Sequence, residues 1–286
     1  MRMISPALIG LLAGSLLGCP GHAMSEDLRP DEEFVQAVAA ARRGDLSAGV
    51  ALATRLIRRE PKQTRGRLLR AELYTRQGEH AKAAADYTEV IKLSPDSAEA
   101  WQRRGEAHFR LAKFKESVAD FDRFLELAPD RKPHHWQRGI SLYYAGRFAD
   151  GKRQFELHQT VNPHDVENAV WHFLCTARAE GIEAARKKLI PIDGDGRIPM
   201  AEVHRLFGEK STPEAVLAAA AAAPKPNAGE ARFYADLYLG LYYEALGNRK
   251  RAREHIVKAA EHAGENGYMG DVARVHAGLL GNPAGK

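Results

Sequence analysis

Pro61, Pro95, Pro129 and Pro163 stand 34 residues apart. A proline has no backbone N–H and clashes with the preceding turn, so it stops a helix rather than continuing one. Four stops at one interval mean that the same short helical unit is used again and again. Units of this kind stack on their neighbours and need no single central core. The ladder therefore predicts an all-α array and argues against an enclosed enzyme pocket.

Aligning the chain on these prolines gives units starting near Pro30, Thr64, Ala98 and Lys132. The eighth position is small in all four: Ala37, Ala71, Gly105 and Gly139. Two helices crossing closely there would require this. The twenty-fourth position, Ala53, Tyr87, Phe121 and Phe155, fills the gap between hairpins. Gly44, Gly78 and Gly146 mark the turn inside three hairpins, where a left-handed backbone is cheapest for glycine, while the third unit has Ala112.

With Trp101 at the fourth position, Gly105 at the eighth, Phe121 at the twenty-fourth and Pro129 at the thirty-second, the pattern resembles the tetratricopeptide (TPR) repeat. The resemblance implies a right-handed superhelix of antiparallel helix pairs, A and B, whose A helices line a concave groove for a protein segment. Carried onto this chain, the groove positions are Arg65, Leu68, Glu72 and Arg76, then Glu99, Gln102, Glu106 and Arg110, then Trp136, Ile140, Tyr143 and Tyr144. Trp136, Tyr143 and Tyr144 are either partner anchors, since aromatics dominate binding hot spots, or packing between units four and five. The Lys and Asn with which chaperone-binding TPR domains grip a C-terminal carboxylate are replaced by Phe34/Val38, Leu68/Glu72 and Gln102/Glu106, so that role is not expected.

After residues 30–165 the repeat degrades. Residues 166–228 read as a helix to Ala179, a turn at Gly181, a short helix ended by Pro191, the break Asp193-Gly194-Asp195-Gly196-Arg197, two further helices and a Pro/Gly linker. The break superficially resembles a calcium loop but lacks the later acids an EF-hand needs. Residues 229–266 form one more good unit, with Gly240, Tyr243, Gly247 and Ile256 in phase. Residues 267–280 are expected to cap the open end of the stack, and 281–286 to be loose.

Arg2, an apolar run from Ile4 to Leu17, and then Gly18-Cys19 read as an export signal over residues 1–23. The Leu-x-Gly-Cys ending resembles the lipobox of bacterial lipoproteins, which implies lipidation at Cys19. Cleavage after Ala23 and a start at Met24 are the alternatives. With Cys19 lipidated, Cys175 is left without an intramolecular partner and reads as a small buried hydrophobe.

No nucleotide-binding loop, nucleophile elbow or metal-binding H-E-x-x-H occurs, and no cofactor or metal is expected. His134 and His135 are adjacent and diverge on a helix. Basic residues are spread along helix faces and usually followed by acids, within a formal net charge of +5. That is no nucleic-acid footprint. A site in 166–228 using Asp193, Asp195, Glu202 and His204 is the enzymatic alternative.

The lipobox, the overall size and the stretch from Phe233 to Tyr243 followed by Gly247 are similar to the NlpI-type TPR lipoproteins of bacterial envelopes. That resemblance implies a non-catalytic adaptor anchored by lipid at a membrane facing the periplasm, the outer membrane favoured. It also implies protein partners such as envelope proteases and peptidoglycan hydrolases, and a homodimer. A cytosolic or secreted interaction module is the alternative.

Overall fold

A computed structural model describes residues 29–264 and 266–281, and Cys19 with the rest of the expected signal lies outside them. Four antiparallel hairpins open the fold. They pair α1 (Pro30–Arg42) with α2 (Leu46–Arg59) and α3 (Arg65–Arg76) with α4 (His80–Leu93). The next two pair α5 (Ala98–Arg110) with α6 (Phe114–Leu127) and α7 (Trp136–Tyr144) with α8 (Phe148–Gln159). Each helix packs on the next along the chain, and α1 also touches α3, so the A helices lie side by side. The array is an all-α solenoid.

The small eighth positions are where the helices meet. A Cβ added to Gly105 would stand 2.6 Å from the Phe121 ring, and one added to Gly139 would stand 2.6 Å from Phe155. The hairpin turns are left-handed, with φ +84° at Gly44, +78° at Gly78 and +76° at Gly146. Ala112 takes the same place in the third unit at φ 56°, a conformation that costs an L-residue roughly 1–2 kcal/mol.

A second ladder runs through the stack. Arg70 donates from Nε and Nη2 to Asp86 at 2.8 and 2.7 Å, and from Nη1 to Thr54 of the preceding unit at 3.1 Å. Arg104 repeats this 34 residues on, with Asp120 at 3.0 and 2.7 Å and Thr88 at 3.1 Å. Arg138 reverses the pattern: the acid, Asp122 at 2.6 Å, belongs to the preceding unit, and Gln154 at 3.1 Å to its own. Each guanidinium thus ties its own B helix to the one before. The signal was in the sequence, as arginine at the seventh position and aspartate sixteen residues later, but charged residues on helices are usually assigned to solvent.

The stack does not stay quasi-one-dimensional. The first units carry small local cores, such as Ala37, Leu52, Leu69 and Leu73, or Ala71, Ala83 and Tyr87. From Phe109 to Ala273, by contrast, a single core runs continuously. It includes α9 (Val166–Glu180), α10 (Ile182–Lys187), α11 (Met200–Phe207), α12 (Pro213–Ala221), α13 (Ala228–Ala245), α14 (Arg249–Glu261) and α15 (Gly267–Gly281). The α10 helix is only one and a half turns long, and α11 supplies missing packing: Phe207 meets Phe173 edge to face at 5.0 Å.

The Asp/Gly break is a helix cap. Asp195 Oδ2 accepts from the Val166 amide at 3.1 Å, and Asp165 accepts from Glu167 N at 3.0 Å, so two orphan donors at the start of α9 are satisfied. Arg197 clamps Asp165 and Asp195, both at 2.7 Å, and also Glu167. Tyr238 of α13 donates to Glu167 at 2.6 Å, tying α13 to α9 as the next A helix. No cluster of acids, histidines or cysteines with metal-ligand geometry occurs among the described residues.

Candidate protein-binding groove

The A helices that the sequence places along a groove are crossed by one of the chain's own helices. Over units one and two, Phe34, Val38, Leu68 and Glu72 stay half-exposed on α1 and α3. Arg65 pairs with Asp31 at 2.5 Å and Glu60 at 2.7 Å, and Arg76 donates to the Ala41 carbonyl at 3.1 Å. In unit three, Gln102 Nε2 donates to Glu106 at 3.1 Å, while Glu99 lies 3.9 Å from Arg103. His135 of the fourth unit reaches back to the Gln102 side chain at 2.7 Å. These side chains brace one another across units, with Glu106 and His135 buried beneath the partly exposed Gln102.

Beyond that point α15 fills the groove. Sequence reasoning expected this helix to cap the far end; instead it packs on α14 and crosses to α5. Arg110 donates to Asp271 at 2.7 Å, and Tyr268 stacks on Phe109 with ring centroids 5.0 Å apart. Trp136 meets Tyr268 edge to face at 5.2 Å. Tyr144 hydrogen-bonds His276 Nδ1 at 2.7 Å, and His276 Nε2 sits 3.0 Å from Glu244 of α13. Burial alone would raise the Glu244 carboxyl, but the hydrogen bond and charge of His276, with Arg178 nearby, outweigh it and hold it low. Burial also pushes the Tyr144 hydroxyl well up, with Tyr143 and Glu244 adding to it. The aromatic residues of unit four are therefore not open anchors. Ile140 and Tyr143 are buried, and Trp136 and Tyr144 pack beneath α15.

The crossing leaves a hollow on either side of α15. One, of about 330 Å³, is lined by Trp136, Ile140 and Tyr268 with Trp171, Glu167 and Arg197. The other, of about 800 Å³, is lined by Tyr143 and Tyr144 with the turns after α5 and α7, Glu244 and Arg249, and the end of α15. The amphipathic pattern of α15 says that it packs but not onto what.

The residues of the enzymatic alternative have separate duties. Asp195 caps α9, His204 Nε2 bonds the Ile190 carbonyl at 2.8 Å, Glu202 accepts from Ser211 at 2.5 Å, and the Asp193 carbonyl contacts His164. They do not converge. Cys175 is buried, and burial pushes its thiol far up, away from the thiolate a nucleophile needs. Among the described residues no helix is long and apolar enough to cross a membrane.

Helical hairpins stacked each on the next along the chain define an α-solenoid. The sequence matches the tetratricopeptide repeat over residues 34–98 and 76–132. The fold is similar to that of a tetratricopeptide repeat protein from Parabacteroides merdae ATCC 43184, with TM-score 0.55 and 20% identity, covering 90% of this chain and 86% of that one. It is also similar to MamA, with TM-score 0.53 and 14% identity over 63% of this chain and 92% of that one. MamA from Desulfovibrio magneticus RS-1 aligns at TM-score 0.51 and 14% identity, over 58% and 92% of the two chains. No curated protein matches in sequence. Residues 34–132 carry tetratricopeptide repeats, and the described residues as a set fold as an all-α solenoid.

Proposed function

We propose that the protein is a non-catalytic adaptor that holds other proteins in its concave groove at the bacterial cell envelope. The observation that carries the binding role is the row Phe34, Val38, Leu68 and Glu72. These apolar and charged side chains lie half-exposed on adjacent A helices, in the part of the groove that α15 does not reach. Repeat arrays present extended concave surfaces of this kind to their ligands. The anchoring role rests on Leu16-Leu17-Gly18-Cys19. The resemblance to NlpI-type lipoproteins favours the outer membrane, with proteases or peptidoglycan hydrolases as partners and a homodimeric state.

Crosslinking and pull-down from envelope extracts test the first part. Val38→Glu combined with Glu72→Arg removes partners captured by the wild-type protein while its thermal melt is retained; an unchanged capture profile refutes the groove. Mass spectrometry of the mature N-terminus tests the second. A diacylated Cys19 is expected, and an unmodified Cys19 or a chain beginning at Met24 refutes the anchor.

A further inference from the structure

The larger hollow has a composition that the TPR pattern does not prescribe. Four arginines line it, Arg110, Arg178, Arg249 and Arg274, against one carboxylate, Glu244. That carboxylate is held by His276 at 3.0 Å. Asp271 lies behind and is shared by Arg110 and Arg274 at 2.7 and 2.8 Å. Arg249 is exposed and has no ion-pair partner among the described residues. Arg178, half-exposed, stands 5.0 Å above the Phe148 ring and 4.0 Å from Glu244. Beyond the rim, exposed Lys113 and Lys250 extend the same sign along the hairpin turns, while Arg147 there pairs with Asp150 at 2.7 Å.

The floor is apolar. Phe148, Val275 and Leu280 are half-buried in it, and Leu279 is 43% exposed at its edge. Four guanidiniums against Glu244 and Asp271 leave a positive excess beside an apolar surface that includes the exposed Leu279, a combination suited to a ligand both acidic and apolar.

We propose that this cleft docks an acidic, leucine-bearing peptide segment of a partner protein, a reading that rests on the adaptor role above. Carboxylates of the segment pair with Arg249 and Arg178, the planar guanidinium being suited to two-point recognition of a carboxylate. The leucines cover Leu279, Val275 and Phe148. A volume of about 800 Å³ accommodates several side chains. An anionic membrane surface offers the same charge, but a flat bilayer cannot reach the floor of a recess lying between two hairpin turns and a helix.

Fluorescence anisotropy with the full chain tests this, using a short labelled peptide of alternating Glu and Leu. Its counterpart with Lys for Glu and phosphatidylglycerol vesicles serve as comparisons. The acidic peptide binds and weakens with added salt, whereas the Lys peptide does not bind. Arg249→Glu and Leu279→Glu, both at exposed positions, each lower the affinity about tenfold or more, while Arg232→Glu, exposed on another face, leaves it unchanged. Binding insensitive to Arg249→Glu and Leu279→Glu overturns the proposal, as does binding of vesicles but not of the peptide. Loss of peptide binding in Val38→Glu/Glu72→Arg but not in Arg249→Glu places the peptide in the open groove instead, overturning the cleft and leaving the adaptor role intact. Failure of the wild type to capture any envelope protein refutes the adaptor role itself.

Discussion

His135 sits at the start of α7, 4% exposed, where its Nδ1 accepts from the Arg138 amide at 3.2 Å and so caps the helix. Its Nε2 then carries the proton and donates to Gln102 of the preceding unit at 2.7 Å. Burial lowers its pKa to about 4, with the positive Arg138 and Arg131 adding to the effect; an unperturbed histidine titrates near ~6.5. At pH 7 the ring is neutral in both states. As pH falls below about 6.5 the unfolded chain takes up the proton, and the folded chain follows only near 4. The stability contributed by the neutral ring is therefore present above this window and lost as pH falls through it. A gap of roughly 2.5 pH units at about 1.4 kcal/mol each gives about 3 kcal/mol lost between pH 7 and 4. Urea unfolding of the wild type and of His135→Asn at both pH values isolates the effect. Asparagine still caps a helix but does not titrate. Every other group cancels in the comparison, so the wild type loses about 3 kcal/mol more than the variant on acidification. Equal losses would refute the assignment of a buried neutral histidine at this junction.

Four further outcomes follow from the packing. Arg70→Met removes the guanidinium that holds Asp86, a side chain only 7% exposed, and costs about 3–5 kcal/mol by urea unfolding. Arg104→Met costs less, because His108 also contacts Asp120 at 2.9 Å. Ala112→Gly relieves the left-handed backbone of the third hairpin and raises stability by about 1 kcal/mol, read as an upward shift in Tm. Trp136→Ala with Tyr144→Ala strips the floor under α15 and lowers stability by roughly 3–5 kcal/mol per aromatic residue at most. Faster amide exchange confined to α15 and its contacts is the signature to look for.

Much of the first half was legible because its determinants are local. A proline stop, a small residue at the crossing and a glycine at the turn each act on neighbours within one hairpin, so their spacing reveals the unit. The departure at Ala112 was visible too, and the structure shows it adopting the left-handed conformation that Gly44, Gly78 and Gly146 take without strain. The Arg70 and Arg104 brackets were periodic but unread, since sequence alone does not say that a charged side chain is turned toward a neighbouring helix. Residues 193–197 looked like an interruption. They cap α9 through Asp195 and Arg197, partners 29 and more residues away from the amides and carboxylates they hold.

The proline ladder and the residues phased to it determined the repeat, the hairpin geometry and the lining of a concave face. Tertiary structure alone decided how much of that face is open. Asp271 and His276 have no like residue 34 positions earlier, and with Tyr268 they meet Phe109, Arg110 and Tyr144 across separations such as the 161 residues between Arg110 and Asp271. A periodic pattern encodes contacts between adjacent units. A helix returning from the far end satisfies its apolar face wherever the folded array presents a matching surface, and only three dimensions show where that is.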